Sequence, residues 1–154
     1  PHYQLGRVKF DRSGTLWDGR FRTSLLDSQT LLLPAMLHIE ALPTRAGLAS
    51  AAADWPWSSA AHHIGRRRDP LVMEHALYWR LGNTPFEREH AHTVALHEAL
   101  QSAEDMRFGL AVVKGLALGP AGFVHRMAEA LGRPLGPRAR GRPAARPMSK
   151  TVPN

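Results

Sequence analysis

The chain has 154 residues, 44% of them hydrophobic and none of them cysteine, with a formal net charge of +7. That length and apolar content suffice for one ordinary domain with a core, and the absence of cysteine excludes disulfides and thiolate metal sites. No apolar run approaches the roughly 18 residues of a membrane span, and no charged-then-apolar leader opens the sequence, so the expected location is cytoplasmic and nucleoid-associated, with no membrane partner. The positive charge is uneven. Six basic residues and no acidic ones lie in residues 133–154, which is nearly the whole excess. A second cluster, Arg7, Lys9, Arg12, Arg20 and Arg22, is opposed only by Asp11 and Asp18. Both ends suit a polyanion, and nucleic acid is the expected partner. The chain opens on Pro1 rather than methionine, which leaves residues upstream of it an open question.

In chain order, residues 1–12 carry too little periodicity to predict an element. In SGTLWDGRF, Gly14 and Gly19 bracket a turn that presents Trp17 beside Arg20. A tryptophan so placed either stacks a base while arginines hold phosphate, or packs beneath its own loop. Arg20, Phe21 and Arg22 alternate as a strand over residues 20–26 would, with one basic and one apolar face.

Residues 27–42 read as an amphipathic helix capped by Asp27 or Ser28, with Leu31, Leu32, Ala35, Met36, Ile39 and Leu42 at helical spacing. Pro43 is expected to end it at Leu42. His38 falls within that stripe and faces a packed surface. Pro34 lies inside the helix and would cost about 3 kcal/mol were it unkinked. Gly47 can take a left-handed conformation in the connection that follows.

A short helix is expected from about Trp57 to His63. Adjacent residues His62 and His63 diverge by about 100° on a helix, and no carboxylate lies at a matching spacing, so no metal site is expected there. Arg66, Arg67 and Arg68 read as a solvated hinge. Asp69–Pro70 opens a helix to Gly82, and Thr84–Pro85 opens one to Gln101. Ser102 and Asp105 resemble a capping box for a helix stopping at Gly115, and Gly119–Pro120 opens a last helix closing at Gly132. The last two could form a helix-turn-helix with His125, Arg126 and Glu129 as readers, but plain helical packing is the preferred expectation. His90–Ala91–His92 matches a His-hydrophobe-His motif. On a helix, however, the two histidines sit about 200° apart and cannot chelate together.

The run SGTLWDGRFRTSLLDS, the helix end IEALPTRAGL, then DWPWSS, ALYWRLG and EALGRPLGPRARGRP, in this order, resemble the REP-associated tyrosine transposases of the HUH single-tyrosine superfamily. The resemblance spans nearly the whole chain but only the latter part of the family's length. It implies a ferredoxin-like α+β domain that cuts single-stranded or hairpin DNA with a tyrosine nucleophile. A divalent metal, Mg²⁺ or Mn²⁺, would be held there by the HUH histidines.

Setting LHIEALPTRAGL on the family pattern puts His38 at the position of the tyrosine. The HUH motif belongs before GTLW, and residues 1–12 do not supply it. The expectation is therefore a mainly α chain without cofactor or intact catalytic residue. Residues 1–64 would be a remnant of the catalytic core, about one strand plus its main helix; residues 65–132 a helical region; and residues 133–154 a basic disordered tail. Candidate DNA contacts are Trp17, Arg20, Arg22, Arg45, Arg140 and Arg142, the last two in an AT-hook-like Arg140–Pro143 run suited to an A·T-rich minor groove. The chain is then either a truncated, inactive transposase or a retained DNA-binding module. The latter would act on hairpin DNA, as a homodimer or by pairing with an intact relative.

Overall fold

Local sequence chemistry sets most helix boundaries in the computed structural model, which describes residues 20–102 and 106–137. Trp17, Asp105, Arg140 and Arg142 lie outside the described residues. In the order in which they occur, the helices are α1 (Ser28–Arg45), α2 (Ala60–His63), α3 (Ala76–Trp79), α4 (Pro85–Gln101), α5 (Met106–Lys114) and α6 (Ala121–Leu131), with a 3₁₀ turn at Ala52–Asp54. Among the described residues the chain is mainly α.

The predicted start of α4 is met in full. Thr84 Oγ1 accepts the Glu87 N–H at 3.2 Å, and Glu87 Oε2 accepts the N–H groups of Thr84 at 3.2 Å and Asn83 at 2.6 Å. Pro85 occupies the first turn, where a missing N–H leaves nothing unbonded. The predicted stops at Gly115 and Gly132 are also present. Both glycines are left-handed, with φ of 63° and 60°. The following N–H closes each end on a carbonyl five residues back, Leu116 to Ala111 at 2.9 Å and Arg133 to Ala128 at 3.2 Å.

Three expectations need correction. First, α1 runs three residues beyond Leu42 and passes through both Pro34 and Pro43. The carbonyls that these prolines leave without donors belong to Thr30 and Ile39, both on exposed residues where water can serve them. The helix ends instead at left-handed Gly47, φ 69°, where the Leu48 N–H reaches the Pro43 carbonyl at 2.8 Å. Second, no helix opens at Asp69. Its carboxylate accepts the Leu71 N–H at 3.0 Å, which closes a local turn, and helical geometry begins only after His75, whose side chain accepts the Leu77 N–H.

Third, residues 20–26 form an extended segment with one isolated parallel bridge, Leu26 to Leu118, rather than a strand. Phe21 on its apolar side is 90% exposed. A strand needs a neighbour along its length, and here pairing stops after Leu118 N–H to the Leu25 carbonyl and Asp27 N–H to the Leu118 carbonyl, each 2.8 Å.

The core is built from small side chains. Ala41, Ala52, Ala60 and Leu96 form its centre, with Leu37, Ile64 and Leu100 against them, and it draws on both sides of residue 64. Alanines let helix backbones approach closely, and α1 packs most extensively on α4. The buried face of α1 is therefore carried by Ala35, Glu40, Ala41 and Pro43. Ile39 and Leu42, placed in the packed stripe by periodicity, are exposed.

The α5–α6 connection is not a tight helix-turn-helix. It is pinned by the Leu26 bridge and by the Ala117 N–H to the Leu135 carbonyl at 2.9 Å. Among the described residues no helix is long and apolar enough to cross a membrane.

Candidate functional site

Glu40 on α1, His63 on α2 and His92 on α4 converge where the three helices meet, and each is at most 2% exposed. Glu40 Oε1 accepts from His63 Nδ1 and from the Ser59 hydroxyl, both at 2.6 Å, and Oε2 accepts from His92 Nε2 at 2.7 Å. A carboxylate can only accept, so the ring nitrogens facing it carry the protons. Burial is the largest influence on Glu40 and would push its pKa up. The hydrogen bonds from His63, His92 and Ser59 together outweigh it and lower the pKa to about 2. Glu40 is thus an ionised carboxylate inside the fold.

Tyr78 closes one side of this cluster. Its hydroxyl donates to the His63 carbonyl at 2.9 Å, and its ring lies 5.0 Å from that of His63 and 5.7 Å from that of His92. Tyr78 is buried in this packing, and burial pushes its phenol pKa up. The other nitrogen of His63, Nε2, is buried and has no hydrogen-bond partner among the described residues. A buried polar group left so costs about 1–3 kcal/mol.

One donor atom from each of Glu40, His63 and His92 lies within 4.8 Å of the others, so a carboxylate and two imidazoles could together hold a metal ion. No local spacing reveals this set. His63 follows Glu40 by 23 positions and His92 follows it by 52, so only tertiary packing joins them. The one sequence signal is an ionisable residue, Glu40, between Ile39 and Ala41. Of the adjacent histidine pair, His62 turns away, accepting the Asp69 N–H at 2.9 Å and donating to Glu74 at 3.0 Å. That bond lowers the Glu74 pKa. His90 and His92 also part, as helical geometry requires: His90 is exposed and His92 buried.

The predicted DNA contacts scatter. Arg45 donates to the carbonyls of Ala99 and, at 3.3 Å, Ser102, at the C-terminal end of α4. Arg22 donates to the Val113 carbonyl at 2.6 Å in the last turn of α5. Both guanidinium groups thus sit at the negative end of a helix, a favourable electrostatic position and a role in the fold. Arg20 is exposed. His38 is half-buried with its ring 5.1 Å from Phe108, beside Arg45, Leu42 and Leu110. Burial, followed by the nearby Arg45 charge, lowers its pKa, so it is a neutral imidazole at pH 7.

A different surface combines aromatic and basic groups. Trp57 is 85% exposed, and beside it Arg67 donates to the Pro56 carbonyl at 3.3 Å. Arg66 and Arg67 pair with Asp54 at 3.0 Å and Asp69 at 3.7 Å, at exposures typical of exchangeable surface pairs. Arg67 and Arg68 line an open cleft of about 260 Å³ together with Glu74, Tyr78, Trp79 and Arg88. The Arg88 guanidinium lies over the Trp79 ring, 4.3 Å from its centroid, and donates to the Gly82 carbonyl at 3.0 Å. The Arg66–Arg68 run is thus anchored at one end and borders a cleft at the other.

Comparison with models of known protein families, with curated proteins and with solved structures found no match to this chain.

Proposed function

We propose that this chain binds single-stranded or hairpin DNA through the surface around Trp57 and Arg66–Arg68, as a catalytically silent relative of the REP-associated tyrosine transposases. The observation that carries the reading is the exposure of Trp57 beside a run of three arginines. An exposed indole offers a face to an unpaired base, guanidinium groups attract phosphate, and a paired duplex presents no free base face to stack. The motif order from SGTLWDGRF to EALGRPLGPRARGRP supports the family relation. In that relation α1 is the main helix of a ferredoxin-like α+β domain. His38, at the position of the family's tyrosine, is packed against Phe108 rather than set beside metal ligands, which supports a loss of cleavage.

A second reading, pairing with another copy of the chain or with an intact relative, is favoured by the apolar groove between α1 and α5, lined by His38, Leu42, Met106 and Leu110. Fluorescence anisotropy with labelled hairpin, single-stranded and duplex oligonucleotides at two salt concentrations tests the DNA reading. Preference for unpaired DNA with affinity falling steeply in salt is expected; equal weak binding to all three would end it. Deleting residues 138–154, which spares the buried Leu135, should lower duplex affinity and flatten its salt dependence if the arginines of the tail engage the minor groove. Incubation with Mg²⁺ or Mn²⁺ should leave the hairpin uncut, for the chain as it stands and for His38→Tyr. A retained covalent 5′ end would reverse the assignment as silent.

A further inference from the structure

We propose that Glu40, His63 and His92 form a structural site for a first-row divalent metal ion, with Zn²⁺ the best match, that ties α1, α2 and α4 together. This inference is independent of DNA binding. Three helices distant in sequence deliver one carboxylate and two imidazoles to one point, each residue at most 2% exposed, with one donor atom apiece inside 4.8 Å. That donor set suits Zn²⁺, which accepts nitrogen and oxygen ligands in four-coordinate sites.

The fit can be tested on distances. Zn²⁺ ligand bonds of about 2.0–2.2 Å in a tetrahedron hold donor atoms roughly 3.3 Å apart. The carboxylate now meets the two imidazoles at 2.6 and 2.7 Å through N–H hydrogen bonds. Metal entry would remove one proton from each ring nitrogen it takes and open the contact to whichever carboxylate oxygen coordinates by about 0.6–0.7 Å, a side-chain adjustment. The Ser59 hydroxyl, already 2.6 Å from Glu40, stands where it can orient the carboxylate or approach a fourth position.

A further observation favours an ion over hydrogen bonding alone. The fully buried part of the core is Ala41, Ala52, Ala60 and Leu96, with Leu37, Ile64 and Leu100 only partly buried against it, a small apolar volume to fasten three helices. In small folds a structural ion commonly supplies that fastening.

The experiment uses the full chain, stripped with a chelator and then titrated with Co²⁺ as a spectroscopic probe and with Zn²⁺ in competition. Elemental analysis and thermal melting are followed on the same samples. One ion per chain is expected, with visible Co²⁺ absorption of tetrahedral intensity that Zn²⁺ displaces, and a melting temperature raised by Zn²⁺ and lowered by chelator. His92→Gln should abolish stoichiometric binding, while His90→Ala, on the exposed face of the same helix, should leave it intact. If His92→Gln does not fold, the Co²⁺ spectrum of the unsubstituted chain still decides. Absence of stoichiometric binding, a spectrum of six-coordinate intensity, or binding lost in His90→Ala but kept in folded His92→Gln would each overturn the site.

Discussion

Glu40 and His92 stand 52 positions apart in the sequence and share a 2.7 Å hydrogen bond with both side chains 1% exposed. With His63 completing the cluster, this contact joins the first long helix to the longest helix of the second half. Removing the carboxylate leaves two buried imidazole N–H groups and the Ser59 hydroxyl without their acceptor. Each buried donor left without an acceptor typically costs about 1–3 kcal/mol. Glu40→Ala is therefore expected to lose about 3 kcal/mol or more, read as the shift of a urea unfolding transition in chelator-containing buffer. A loss below about 1 kcal/mol, the range of an ordinary surface substitution, would show that the cluster does not hold the fold.

The same carboxylate predicts an acid limb. Its folded-state pKa of about 2 lies below the 4.5 of an unperturbed glutamate, so between those values the unfolded chain binds the additional proton. The stabilisation is fully present above pH 4.5 and is lost as pH falls toward 2, an effect on the order of 3 kcal/mol. Urea midpoints measured from pH 6 downward should converge for the unsubstituted chain and Glu40→Gln, since the amide has no carboxyl to titrate. Parallel acid limbs would assign the transition to another group.

What was legible in the sequence was local. Thr84, Pro85 and Glu87 specify the start of α4 among four neighbouring residues, and Gly47, Gly115 and Gly132 supply left-handed geometry without help from the rest of the fold. Where one local device competed with another, sequence reading chose the wrong one. Asp69 can cap a helix or close its own turn, and it does the latter. The extended segment at residues 20–26 depends on a neighbour that alternation of side chains cannot supply. The Glu40 cluster was out of reach for a further reason. Helical geometry correctly separates His90 from His92, but it cannot say that His92 alone turns inward to meet a residue of α1. Periodicity likewise misjudged which face of α1 is buried, because Ala41 and Glu40 pack more deeply than the larger Ile39 and Leu42.

The capping box of α4 offers a test of how local chemistry supports the buried cluster. Thr84→Ala removes the acceptor of the Glu87 N–H and should destabilise the chain by about 1 kcal/mol, which lowers the melting temperature by several degrees for a domain of this size. Glu87→Gln retains an oxygen for the Thr84 and Asn83 N–H groups and should lose less. Because α4 carries both His92 and Leu96, the loss should appear in the global transition. A fraying signal confined to helix content, with an unchanged melting temperature, would separate the cap from the core.

Trp57 distinguishes a binding surface from a packing residue more directly than any other side chain. At 85% exposure it contributes little to the core, so Trp57→Ala should change stability by less than about 0.5 kcal/mol. Stacking of one base on an aromatic ring is worth about 1–3 kcal/mol, and the same substitution should therefore weaken single-stranded DNA binding roughly 5- to 150-fold. Trp57→Phe retains a π-face and should recover part of that loss. Arg68→Ala acts differently: removal of one phosphate contact should weaken binding to all sequences alike and reduce the salt slope by about one. Anisotropy titrations of the three variants at several salt concentrations measure both quantities. Unchanged affinity in Trp57→Ala, together with a full salt slope in Arg68→Ala, would remove this surface from DNA binding.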